Sequence, residues 1–114
     1  MKTYKFDTKN VPLGRAATGV AAAVLGKNEV DFMPNRVADV LVEVENVNEI
    51  EISEKKRIHN KVYRHSGYIG NLKTLTVQQQ IDKVGMQQHY IDTVKKMLPD
   101  NRLRRARLNR IKFK

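Results

Sequence analysis

A single α/β domain is the fold this sequence predicts: a central, mainly parallel sheet of about four strands flanked by helices, with a basic C-terminal helix and tail. Three observations predict it. Residues 13–25 (LGRAATGVAAAVL) are apolar nearly all round, as in a helix buried against a sheet, and a strand pattern stands on either side of them. Residues 39–45 (DVLVEVE) alternate, placing Val40, Val42 and Val44 on one face and Leu41 among carboxylates on the other. Charge divides the chain: residues 1–57 hold nine Lys and Arg against nine Asp and Glu, residues 58–114 thirteen against three, so the net charge of +10 falls wholly in the second half.

Taken in order, residues 4–7 make a short first strand, and Asn10-Val11-Pro12 is a turn that cannot continue it. The helix over Leu13–Leu25 follows, with Ala and the small Gly19 permitting close approach and Gly26 placed as the left-handed residue that closes it. Strands over 39–45 and 50–53 complete a βαβ unit, and Glu54-Lys55-Lys56-Arg57 reads as a charged turn. Residues 61–73 (KVYRHSGYIGNLK) read as a strand running into an exposed, shaped loop. Thr76 is the N-cap of a helix over Val77–Val84 that Gly85 ends. Tyr90, Ile91, Val94, Met97 and Leu98 form one apolar stripe on a further helix, stopped by Pro99. Asp100 caps a last helix over 101–111, whose arginines spread around most of the circumference and leave Leu103, Leu108 and Ile111 no clean stripe. The chain thus divides into an α/β core, 1–98, and a basic helix and tail, 99–114, and the fold is expected to survive removal of residues 102–114.

Length and composition narrow the function. A chain of 114 residues buries about two-thirds of its unfolded surface around one core. Without Trp that core must be built mainly of Ala, Val, Leu and Ile. The absence of Cys removes disulfides and thiolate metal sites and suits a reducing compartment. The segment MKTYKFDTKN has no apolar run, and no stretch approaches the roughly 18 apolar residues that cross a bilayer, so a cytoplasmic protein without a membrane partner is expected. Gly14 and Gly19 have the spacing that opens a phosphate loop, but Val20-Ala21 stand where Lys-Ser/Thr is required. His59, His65 and His89 lack zinc-ligand spacing, and His65-Ser66 adjacency is not a nucleophile–base pair. Glu43, Glu45, Glu49, Glu51 and Glu54 alternate like a solvated strand face. No catalytic residue, metal, cofactor or small-molecule substrate is expected.

What remains is nucleic-acid chemistry. Residues 95–114 carry Lys95, Lys96, Arg102, Arg104, Arg105, Arg107, Arg110, Lys112 and Lys114 against Asp100 alone, a net +8. Such a segment repels itself unless a polyanion neutralises it; the plainer reading is a solvated basic tail. Arginine offers a flat donor fork for phosphate and stacks on bases, which favours structured RNA. In the loop, Tyr63, Tyr68 and His65 can stack on unpaired bases, Arg64 and Lys73 can take phosphates, and Gly67 and Gly70 let the backbone approach closely. Tyr63 equally suits a core aromatic on a strand. A free RNA- or DNA-binding regulator is the alternative to a structural RNA-bound protein.

Four stretches resemble, in order and spacing, the universal L-thirteen family of large-ribosomal-subunit proteins: Leu13-Gly14-Arg15, Gly26-Lys27, the run from Lys61 to Lys73, and VKKMLPDNRL from Val94 to Leu103. The resemblance covers almost the whole chain. It implies an α/β fold, no catalytic activity, a structural role in subunit assembly and translation, and large-subunit rRNA and neighbouring ribosomal proteins as partners. It adds Arg15, Lys27, Lys61 and Ser66 to the RNA-binding candidates. Met33-Pro34-Asn35-Arg36-Val37-Ala38-Asp39 stands where the family carries a Thr/Asp/Gly-containing turn, and the family's Tyr-, Gly- and His-rich tail has no counterpart here. A shortened member of bacterial type is therefore expected.

Overall fold

Alternating valines make the central strand. In the computed structural model, which describes residues 1–114, β2 (Val40–Glu45) buries Val40, Val42 and Val44 completely or nearly so. It pairs in parallel with β1 (Lys2–Asp7), Tyr4 opposite Val42. The crossover between them is α1 (Leu13–Leu25), closed by Gly26 at φ 86°, where the Gly26 and Lys27 amides cap the last carbonyls. Gly19 is the close-approach residue expected of it: a Cβ there would lie 3.2 Å from the Phe6 ring.

Residues 50–53 do not add a strand. A 3-10 turn at Val47–Glu49 and a single bridge between Pro12 and Glu51 replace it. Ser53 then accepts from the Lys56 amide at 3.3 Å and starts α2 (Glu54–His59), so the expected charged turn is a short helix. Its charges suit it: Glu54 lies in the first turn, and Lys56, Arg57 and His59 lie in the last. The next segment is a complete hairpin, β3 (Lys61–His65) antiparallel to β4 (Leu72–Thr76), forming its own two-stranded sheet.

Thr76 and Gln79 form a reciprocal capping box at the start of α3 (Val77–Val84), which ends at Gly85 with φ 90°. From there α4 (Met86–Met97) lays Tyr90 and Val94 onto Ala16, Ala17 and Val20 of α1, with Leu98 just beyond its end. Tyr90 is fully buried and donates its hydroxyl to the Ala16 carbonyl at 3.0 Å, satisfying the one polar atom the core takes in there. Met97, on the edge of the predicted stripe, remains 41% exposed.

The C-terminal segment departs most from expectation. Its helix, α5 (Leu103–Leu108), ends earlier than predicted, and Ile111–Phe113 is β5, the third strand of the parallel sheet in the order β1-β2-β5. Ile111 sits opposite Val42 and is buried, and Phe113 meets Tyr90 edge to face at 6.1 Å. Ile111 thus had no helical stripe because it belongs to a strand.

Candidate nucleic-acid interface

The hairpin register places residues of one face opposite each other: Val62 faces Leu75, and Arg64 faces Lys73. Directly opposed like charges destabilise a strand pair unless something anionic lies between them. These four residues form one wall of a groove of about 420 Å³, continued by Gln80 and Lys83 of α3, Asp92, Thr93, Lys95 and Lys96 of α4, and Arg104 of α5. Six cations from five different elements converge on it against one carboxylate, Asp92. Only Arg104 of the six forms an ion pair, with Asp100 at 3.0 Å.

At the groove's outer end is the hairpin tip. Tyr63, 64% exposed, is not a core aromatic, and Tyr68 is 74% exposed. His65, Ser66, Gly67 and Gly70 are exposed beside them. Gly67 and Gly70 hold φ of 91° and 78°, so the turn demands glycine twice. The Gly67 amide donates to His65 Nδ1 at 2.9 Å, which leaves Nε2–H as the ring's donor. The tip thus presents two aromatic faces and an imidazole N–H beside a cationic cleft, a surface fit for stacking and phosphate contacts with single-stranded or looped RNA.

The sequence-predicted residues divide by place. Tyr63, Arg64, Lys73, Lys95, Lys96 and Arg104 are brought together in the groove. Lys61, Arg15, Lys27, Arg102, Arg105, Lys112 and Lys114 are exposed outside it. Lys27 follows the C-terminal end of α1, about 18 Å along the helix from Arg15, too far for both to serve one cleft. Arg110 and Lys114 are engaged internally, with Asp39 at 3.9 Å and Glu43 at 3.1 Å. Arg107 is 1% exposed and donates to the Pro34 and Arg36 carbonyls at 3.1 and 3.5 Å, with Nε and Nη1 unpartnered. It braces the loop before β2 rather than facing solvent. Lys83, Gln80 and Thr93 were missed by sequence reasoning; the helical spacing that identified α3 and α4 carries no record of which polar face meets the hairpin.

His89 and Thr93 sit where this groove meets a second one. Burial holds the His89 imidazole below the usual histidine range, with Asp92 opposing and Lys96 reinforcing the shift. The folded pKa lies below the unfolded value of about 6.5, so the unfolded chain binds the extra proton first, and stability drops as pH falls below that value. His89→Gln is expected to make the melting temperature less sensitive to acidification from pH 7 to 5. Equal sensitivity in parent and variant would place the titration elsewhere.

Comparison with known proteins agrees in extent with this architecture. The family model for ribosomal protein L13 matches residues 1–113. Similar proteins include the large ribosomal subunit protein uL13 of Corynebacterium diphtheriae, 36% identical over 110 residues covering 96% of this chain and 74% of that protein. The uL13 of Lawsonia intracellularis is 37% identical over 109 residues, covering 96% and 75%. That of Thermotoga maritima is 36% identical over 111 residues, covering 97% and 74%.

Proposed function

As the chain belongs to the ribosomal protein L13 family, a structural and non-enzymatic component of the large ribosomal subunit, we propose that it holds large-subunit rRNA in the groove between the hairpin and α4. The observation that carries this reading is the convergence of six cations on one cleft with a single carboxylate. Their mutual repulsion is relieved when a phosphate backbone enters and its condensed counterions are released. Tyr63, His65 and Tyr68 at the tip supply stacking and a ring donor, and Gly67 and Gly70 keep the turn narrow enough for close approach. Arg102, just before α5, and Arg105 within it extend the cationic surface, and Arg15, Lys61 and Lys112 add phosphate contacts at its margins. Neighbouring ribosomal proteins complete the surroundings, in the cytoplasm of a bacterial cell.

Sedimentation of a cell lysate tests it. The protein is expected to track the large subunit through high-salt washing, because specific contacts to folded rRNA outlast loose counterion binding. Release into the soluble fraction at moderate salt would favour the free RNA- or DNA-binding regulator instead.

A further inference from the structure

The second groove, about 470 Å³, opens between the start of α1, α2 and α4, and shares His89 and Thr93 with the cationic groove beside the hairpin. The start of α1 is electrostatically bare. Pro12 provides no side-chain cap, and no acidic residue stands in the first turn. Ala16 is the first amide to find an acceptor at this end of the helix, the Pro12 carbonyl at 3.0 Å, so the Gly14 and Arg15 amides precede the intrahelical ladder. A thirteen-residue helix in this state presents N–H groups and the positive end of its dipole to whatever enters the groove. A second, independent feature points the same way. His89 borders the groove, is only 9% exposed, and its imidazole makes no hydrogen bond or ion pair within the molecule. Its ring nitrogens keep their access to solvent through the grooves the ring borders, and a neutral imidazole has one N–H to donate there. Lys56, which forms no ion pair, borders the same groove with Ser53 and Asn60. The Ser53 oxygen accepts from the Lys56 amide and still has its own proton to give.

We propose that this groove is a second RNA contact, binding one backbone phosphate between the first-turn amides of α1, Lys56 and His89. The proposal rests on the rRNA-binding reading above. Continuity of the two grooves through His89 and Thr93 favours a strand phosphate over a free ion, because a backbone leaving the hairpin cleft passes directly into this one. Glu51 borders the groove and opposes an anion. That gives the site a signed test.

The experiment titrates the full-length protein with inorganic phosphate, following the Gly14 and Arg15 amides and the His89 ring by NMR, and separately measures affinity for large-subunit rRNA. Saturable shifts confined to these groups are expected; shifts spread evenly over the exposed lysines would overturn the site. A Cβ at Gly14 meets nothing within 4 Å, so Gly14→Glu fits and puts a carboxylate in the first turn. That variant is expected to melt higher while binding both phosphate and rRNA about tenfold more weakly. Glu51→Gln is expected to bind both more tightly. If Gly14→Glu abolished the phosphate response but left rRNA affinity unchanged, the RNA assignment would fall and a free anion would be the occupant. If rRNA affinity fell on neutralising the hairpin groove but not in Gly14→Glu, the second contact alone would be overturned and the main reading would stand.

Discussion

A chain ending at Arg110 is expected to lose most of its folding stability. Removing residues 111–114 takes away β5, and with it the buried Ile111, the Phe113 ring packed edge-on against Tyr90, and the Lys114 amide that donates to the Val44 carbonyl at 3.0 Å. Losing a buried Ile costs about 2–5 kcal/mol and a core Phe about 3–5, against a total stability of about 5–15 kcal/mol for a domain. The truncation also leaves one edge of β2 unpaired. Thermal melting followed by circular dichroism measures the effect, with the double variant Lys112→Gln/Lys114→Gln as control. That control keeps the strand and removes only its charge, including an ion pair to Glu43 at a half-exposed lysine, worth at most about 1 kcal/mol. If the truncated chain melted within a few degrees of the full one, β5 would be an attached tail and not a member of the sheet.

That result would mark the limit of what the sequence could disclose. Elements decided by local signals were legible to the residue: Leu13–Leu25 closed by Gly26, and Val77–Val84 set by Thr76 and Gly85, because a cap side chain or a left-handed glycine acts within one helical turn. The buried face of β2 was legible because alternation is a property of the strand itself. β5 was not: its three residues, IKF, have a lysine at the centre, and their partner strand lies far upstream. Arg107 was unreadable for a related reason. Arginine is almost never fully buried, and the carbonyls that receive it belong to Pro34 and Arg36, in a loop with no pattern of its own. The basic segment therefore serves two ends, since part of its charge faces outward and part secures the sheet.

The candidate site was half legible on the same terms. Cation density and the glycine-bearing turn singled out residues 61–73 and 95–96 as candidate nucleic-acid contacts, but the cleft they line exists only after β3–β4, α3 and α4 have packed. Lys83 joins it through tertiary placement. Conversely, Arg110 and Lys114, counted as free charge in the sequence, are drawn into ion pairs by β5.

Neutralising the hairpin groove is expected to produce the largest loss of function. The four-fold variant Arg64→Gln, Lys73→Gln, Lys95→Gln and Lys96→Gln removes four of the six converging cations, none of which takes part in an ion pair within the protein. Each neutralised phosphate contributes about 0.7–0.9 to the log–log salt slope of binding, so the slope for large-subunit rRNA should fall by about 3. Near 0.1 M salt the same four contacts correspond to roughly a thousandfold in affinity. Stability should move the other way, because Arg64 and Lys73 are cross-strand partners of like charge and their removal relieves repulsion in the hairpin. Lys27→Gln, beyond the far end of α1, is the matched control and should cost less than about tenfold. Filter binding across a salt series, with a thermal melt of each variant, separates the outcomes. A folded four-fold variant with an unchanged slope would move the RNA contact off the hairpin groove, onto the exposed Arg102 and Arg105. A slope reduced equally by Lys27→Gln would mean that net charge, and not the cleft, governs binding.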